Sequence, residues 1–213
     1  MVEIIVFFGL AGICLVLFII RFHQLSTAMK WVGIAHGVNV LSLVVGQIMM
    51  MRGTKNNLFI FHFALILIYA AYATAFYYAI DARRIQRLIL VSIGLFGTAA
   101  LGFMATIQPL KEYNSYALTL ANLLLLGWAL TYLYTSFSEV KFVSLEKDPF
   151  FWVSIGLLFT SLGNFFVSGL MSYLIRESRE YASKLYMVEE AMTILLFAIL
   201  CVAVLADRLF KTA

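Results

Sequence analysis

The sequence is poor in charge, proline and cysteine. Charged residues make up 12% of the 213 residues, and there are only 2 prolines and 2 cysteines. Two cysteines are too few for a disulfide scaffold, and the low proline count excludes a collagen-like chain. Hydrophobic residues make up 63% of the chain, which is more apolar surface than a soluble core of this size can hide. The composition therefore predicts an integral membrane protein and excludes a solvent-exposed globular enzyme.

Seven apolar stretches are long enough to cross a bilayer, whose hydrocarbon core of about 30 Å needs roughly 20 apolar residues. None of them alternates polar and apolar residues as a membrane β-strand does. The first lacks the basic segment of a signal peptide and is expected to remain as a helix. The predicted spans are 2–20, 31–51, 58–80, 88–107, 116–137, 150–174 and 185–205. We predict an all-α integral membrane protein, in which residues 1–213 form a single transmembrane domain of seven helices.

The lysines and arginines indicate which way the helices run, because cytoplasmic loops carry an excess of them. Loops one, three and five and the C-terminal tail hold nine: Arg21, Lys30, Arg83, Arg84, Arg87, Lys141, Lys147, Arg208 and Lys211. The N-terminus and loops two, four and six hold six: Arg52, Lys55, Lys111, Arg176, Arg179 and Lys184. The excess predicts an N-terminus outside and a C-terminus in the cytoplasm. Basic loops beside anionic lipid headgroups also explain the net charge of +4, so no nucleic-acid partner is expected.

Polar side chains inside a bilayer are costly, so each is a candidate for function. With the N-terminus outside, the predicted spans bring several of them to one layer in the outer half of the membrane. This layer contains His62 and Tyr69 of span three, Gln47 of span two, Asn122 of span five, Asn164 of span six, and Glu189 and Glu190 of span seven. We predict that these residues line a small outward-facing cavity that binds a small ligand or a proton, with a His62–Glu189 or His62–Glu190 contact.

A purely structural alternative is open for the same residues. Asn39, Asn122 and Asn164 could hydrogen-bond neighbouring helices, as amides in membrane helices commonly do. The two glutamates could instead lie at the membrane interface, where the positive end of the helix dipole favours acidic side chains.

Small residues predict where the helices approach one another closely. The spacing is four residues for Gly33 and Gly37 in span two, and seven for Gly156 and Gly163 in span six. Span four repeats a small residue at every fourth position, namely Gly94, Thr98, Gly102 and Thr106. We expect these to be packing grooves, and we expect Cys14 and Cys201, inside spans one and seven, to be free buried thiols.

Several named chemistries lack their residues. Span seven has no lysine for a retinal Schiff base, and the histidines inside the spans, His36 and His62, lie at opposite depths. Three metal ligands therefore do not converge easily. Serine-nucleophile motifs, phosphate-binding loops and CxxC pairs are absent. We predict no catalytic residues, no metal and no cofactor, and the sequence favours a protein that is not an enzyme.

The segment from Gln108 to Leu174 carries a recurrent pattern of residues. It consists of Asn114 and Ser115 before span five, Pro149, Phe151 and Trp152 at the start of span six, and then Gly156 and Gly163 with Asn164. This pattern resembles a group of small multi-helix bacterial membrane proteins, related segments of which occur near or fused to sensor histidine kinases. The resemblance implies a multi-pass protein of the bacterial inner membrane that acts in sensing or signalling.

Three functions are compatible with these observations. The first is a sensor or receptor-like module that binds a small ligand in the outward-facing cavity and acts through a protein partner on the cytoplasmic side. The second is a pore, transporter or membrane effector, for which a homo-oligomer is one option. The third is a non-catalytic membrane subunit of a larger complex. In each case the lipid bilayer is the first partner.

Overall fold

The computed structural model describes residues 2–54, 56–138 and 145–209, without the side chains of residues 2–4, 179 and 207. Within these ranges the chain is all-helical. The helices are α1 Val2–Arg21, α2 Thr27–Met51, α3 Leu58–Ala79, α4 Arg83–Thr106, α5 Ser115–Ser138, α6 Pro149–Glu177 and α7 Arg179–Leu209. In the described part of the chain, seven helices are long and apolar enough to cross a membrane. Lys55, Lys141 and Lys211, which contribute to the predicted orientation, lie outside the described residues.

Several helices begin earlier or end later than the predicted spans. The α2 helix begins at Thr27 because the Ser26 hydroxyl accepts a hydrogen bond from the Met29 N–H, which caps the first turn. The α7 helix begins at Arg179, directly after the single residue that separates it from α6. Hydropathy detects only the apolar part of a helix, so polar turns at its ends escape this criterion.

Helices that follow each other in sequence pack side by side, and α7 also packs against α1, so the seven helices form a closed ring. The α3 helix contacts α2, α4 and α5 and contributes much of the core, including Tyr69, Ala73, Ala75 and Phe76, which have no exposed surface. The α4 helix is peripheral. Only 17% of its most apolar 18-residue stretch is buried, whereas 44% of the corresponding stretch is buried in α3 and in α6. Large apolar side chains cover the outside of the ring, as expected for a surface that faces lipid.

Gly33, Gly156 and Gly163 are packing sites, as the sequence predicts, whereas a Cβ atom at Gly37 would meet only Leu15 at an ordinary 3.8 Å. A Cβ atom at Gly33 would lie 2.8 Å from the Phe18 ring of α1. At Gly156 it would lie 3.1 Å from side chains of α7, and at Gly163 it would lie 3.0 Å from the Met192 sulfur. Each of these three glycines therefore allows a neighbouring helix to approach more closely than any other residue would.

The repeat of small residues on α4 is not a packing groove within the chain, and that expectation is wrong. Gly94, Thr98 and Gly102 are exposed, and nothing lies within 4 Å of a Cβ built at either glycine. The hydroxyls of Thr98 and Thr106 bond to carbonyls one turn back in the same helix. The core-facing side of α4 carries Ile89, Phe96 and Ala100 instead, so these larger residues set the rotation of the helix and turn the small ones outward.

Candidate functional site

The connection between α4 and α5, residues 107–114, folds over one end of the bundle and is called the 107–114 loop. Gln108 and Asn114 are each 4% exposed, and Ser115, the first residue of α5, is 3% exposed. Buried polar residues in a loop need hydrogen-bond partners, and here the partners come from α3, α5, α6 and α7. We call this the Gln108 end of the bundle, and the opposite end, where α6 begins, the Asp148 end.

Gln108 joins the loop to α5 and α6. Its amide nitrogen donates to the Ser115 hydroxyl at 2.9 Å and to the Ser172 hydroxyl at 3.2 Å. Its amide oxygen accepts from the Tyr116 backbone N–H at 2.9 Å, which provides a partner for an N–H in the first turn of α5. The two serine hydroxyls also lie 2.6 Å apart. One buried amide therefore holds the start of α5 against α6.

The loop is joined to α3 by three further contacts. The His62 Nε2 lies 3.0 Å from the Glu112 carbonyl oxygen, which can only accept, so the Nε2–H group donates this hydrogen bond. The Asn114 amide donates to the Phe61 carbonyl at 3.4 Å, and the Asn56 amide, just before α3, donates to the Lys111 carbonyl at 3.2 Å. His62 is 3% exposed, so its role here is to hold the loop backbone on α3.

Tyr113 joins the loop to α7. Its hydroxyl lies 3.1 Å from one carboxylate oxygen of Glu189 and 3.0 Å from the other. Burial raises the pKa of Tyr113, and the nearby Glu189 carboxylate raises it further, so the phenol keeps its proton and acts as the donor. The half-buried Glu189 side chain of α7 is thus bonded to the loop through Tyr113.

Asn122 Nδ2 on α5 and Asn164 Oδ1 on α6 are buried and have no hydrogen-bond partner among the described residues. Because Ser115 meets Ser172 where the antiparallel helices α5 and α6 pack, Asn122 and Asn164 lie at about the same depth. Ser168, one turn further along α6, has no exposed surface and interacts with the Tyr113 hydroxyl. Native proteins leave few buried polar atoms unpaired, so the two amides have unused hydrogen-bonding capacity.

The predicted site residues do not all meet. Glu189 and His62 both contact the 107–114 loop, but among the described residues no hydrogen bond or ion pair joins His62 to either glutamate. Glu190 is half-buried and Gln47 is exposed. Tyr69 lies seven residues further along α3 from His62, about 10 Å deeper, where its hydroxyl bonds to Ser92 at 2.8 Å and accepts from Trp128 at 3.4 Å.

Hydropathy reasoning missed Gln108, Tyr113 and Ser172. The first two fall in a predicted loop, and the third lies near the end of span six, so none counted as an intramembrane polar group. The available signal was composition, because the loop sequence QPLKEYNS is short yet rich in groups that can donate and accept hydrogen bonds.

Two cavities in the described part of the chain lie away from the Gln108 end. One of about 370 Å³ is at the Asp148 end, where Ser26, Tyr132 and Asp148 are among its lining residues. A groove of about 180 Å³ runs along α5 beside Trp128. At the Gln108 end the polar groups pack against the loop. In the described part of the chain no three or more His, Cys, Asp or Glu side chains are grouped to hold a metal ion.

Comparison of the chain with protein-family models, with curated proteins and with solved structures finds no match. The resemblance to small bacterial membrane proteins therefore stays a prediction.

Proposed function

We propose that the chain is a membrane sensor or receptor-like module that binds a small polar ligand or a proton at the Gln108 end and acts through a partner protein. The observation that carries this proposal is the contact of the Glu189 carboxylate with Tyr113 of the 107–114 loop. An acidic side chain on a membrane-spanning helix is costly, and such residues commonly belong to binding sites or proton pathways.

The loop provides a route from the site to the rest of the bundle. It is bonded to α3 through His62, to α6 through Gln108, and to α7 through Tyr113. A ligand that takes over the Glu189 carboxylate releases Tyr113, and the loop then loses its attachment to α7. Ligand binding changes an equilibrium only through such a difference in contacts between two states. We propose that the two signalling states differ in this contact: Tyr113 is bonded to Glu189 in one state and released in the other.

The unpartnered amides of Asn122 and Asn164, at about the same depth, favour ligand binding. Asn164 Oδ1 accepts and Asn122 Nδ2 donates. Together with Glu189 they offer hydrogen bonds of both kinds to a small polar molecule. With the orientation expected from the lysines and arginines, this end faces the outside, and the partner would lie on the cytoplasmic side.

The side of α7 that packs against the rest of the bundle favours this function over a pore. Towards the Asp148 end its buried residues are Phe197, Leu200 and Val204, each with 1% of its surface exposed or less. An ion that left Glu189 along α7 would meet apolar side chains of α7 itself. Polar groups approach this stretch from other helices, where the His36 ring of α2 packs 4.9 Å from the Phe197 ring and the Arg21 guanidinium of α1 donates to the Val204 carbonyl. Flux of sodium, potassium or protons in liposomes would nevertheless favour the transporter alternative.

The test is a thermal-shift screen of the protein in nanodiscs against small amines, amino acids, carboxylic acids and sugars. We expect at least one compound to raise the melting temperature of the wild type and to lose this effect with Glu189→Gln. The matched control is Glu180→Gln, which removes an acidic group from the same helix where its side chain is 75% exposed and paired with Lys184. If no compound distinguishes the two variants, the proposed site is wrong.

The partner is tested separately by affinity purification from native membranes in mild detergent. We expect a second protein that is retained by the wild type and by Glu180→Gln. Recovery of the chain alone would contradict both the sensor proposal and the alternative that it is a subunit of a larger complex.

A further inference from the structure

The cavity at the Asp148 end lies between the ends of four helices. Its walls are the start of α2, the end of α3, the last part of α5 and the start of α6, and its volume is about 370 Å³. This volume is within the range of sites for small molecules, about 300–1,000 Å³. It lies at the opposite end of the bundle from Glu189, so it is independent of the function proposed above.

One carboxylate, that of Asp148, lines the cavity. One of its oxygens accepts from the Phe150 backbone N–H at 2.9 Å, which caps α6, and the other accepts from the Tyr132 hydroxyl. A carboxylate has about four acceptor positions, so two are left for a ligand. The position at the N-terminus of α6 favours negative charge. None of the described residues that line the cavity is basic.

Aromatic rings stand beside this carboxylate. The rings of Tyr132 and Phe150 pack with centroids 4.9 Å apart at an interplanar angle of 71°. Tyr78, at the end of α3, also lines the cavity and is 51% exposed. Aromatic rings near an anionic group are the surroundings that bind organic ammonium ions, because the ring face attracts positive charge and tolerates the apolar substituents.

The remaining polar groups of the wall are hydroxyls. Ser26 and Thr27 lie at the start of α2, where the Ser26 hydroxyl also caps the helix. Hydroxyls both donate and accept, so they suit a ligand that carries an uncharged polar group beside its charge.

We propose that this cavity binds a small molecule with a protonated or quaternary ammonium group, which lies against Asp148 and the rings of Tyr78 and Tyr132. The same chemistry is offered by free amines and by the headgroup of phosphatidylethanolamine. The experiment below separates these two sources.

The full chain is placed in nanodiscs of phosphatidylglycerol and titrated with tetramethylammonium chloride and ethylammonium chloride, with binding followed by thermal shift. Sodium chloride at equal concentration and tert-butanol, a neutral molecule of similar size, are the reference compounds. We expect a saturable rise in melting temperature with at least one ammonium salt and none with the references. A second set of nanodiscs contains phosphatidylethanolamine, with no added amine.

The central variant is Asp148→Asn, which removes the charge but keeps a side chain that caps a helix as well as aspartate does. We expect the Kd for the ammonium probe to rise at least tenfold. Tyr78→Leu, at an exposed position, is the second variant, and we expect it to weaken binding several-fold without affecting folding. Glu180→Gln, at the other end of the bundle, should leave the Kd unchanged.

Each outcome decides the proposal. An ammonium response that Asp148→Asn and Tyr78→Leu weaken supports a site for free amines. A stabilisation in phosphatidylethanolamine nanodiscs alone, lost in the same variants, supports the lipid headgroup. No response in either arm, or an equal response in wild type and both variants, would overturn it.

Discussion

The contact between Tyr113 and Glu189 can be measured by a double-mutant cycle. The single variants are Tyr113→Phe, which removes only the hydroxyl, and Glu189→Met, which removes the carboxylate from a side chain of similar length. In the structure that hydroxyl is 3.0 and 3.1 Å from the two carboxylate oxygens. A hydrogen bond contributes about 1 kcal/mol net, and up to about 3 kcal/mol when one group is charged. We therefore expect a coupling energy of about 1–2 kcal/mol.

The assay is the free energy of unfolding in mixed micelles of a mild detergent and dodecyl sulfate, followed by circular dichroism for the wild type, both single variants and the double variant. The control cycle pairs Glu189→Met with Tyr181→Phe, since Tyr181 lies on the same helix but is 60% exposed. Independent sites add within about 0.5 kcal/mol, and we expect this result for the control. A Tyr113–Glu189 coupling no larger than that would refute the link between the loop and α7.

Two further predictions test the packing that positions the site. Gly33→Ala places a Cβ 2.8 Å from the Phe18 ring and should lower the free energy of unfolding by about 1–2 kcal/mol, because overpacking of about 1–3 kcal/mol exceeds the gain in helix propensity. Gly94→Ala meets nothing within 4 Å and should be neutral or stabilising in the same assay; equal destabilisation of both variants would contradict the rotation of α4. Cys14 and Cys201 are free thiols on helices that pack against each other, so dibromobimane, which fluoresces when it bridges two thiols, should label the wild type but not Cys14→Ala. If the labelled protein shows no fluorescent band on a denaturing gel, the contact of α1 with α7 is contradicted.

The helices themselves were predictable from local sequence. Seven apolar runs of adequate length led to seven predicted spans, and the described part of the chain has seven matching helices. Only spans 58–80 and 88–107 run past the end of their helices, by one residue each. The spacing of glycines also predicted the close contacts at Gly33, Gly156 and Gly163, although Gly37 is not closely packed. The start of α7 was misplaced, because its first turns, REYASK, are polar and helical at once.

The candidate site was only partly predictable. Glu189 and His62 stood out because charge and imidazole are rare in apolar runs. Their actual partners are Tyr113 and the Glu112 carbonyl. Both belong to the 107–114 loop, in which hydropathy identifies no candidate residues. Asp148 does not stand out in the sequence, because it lies at the end of a span, where charged residues are common, although it lines a cavity at the meeting point of four helices.

The sequence by itself determined the number of helices and their approximate positions. In lipid every backbone polar group must be hydrogen-bonded within the protein, which leaves helices and closed β-barrels, and long apolar runs without polar–apolar alternation then form helices. Only the tertiary structure decided which side chains meet. The rotation of each helix turned Gly94 outward and Ser168 inward, and the fold of the 107–114 loop paired Glu189 with Tyr113 and left His62 to the loop backbone. These pairings depend on contacts between distant segments, which no local pattern of residues records.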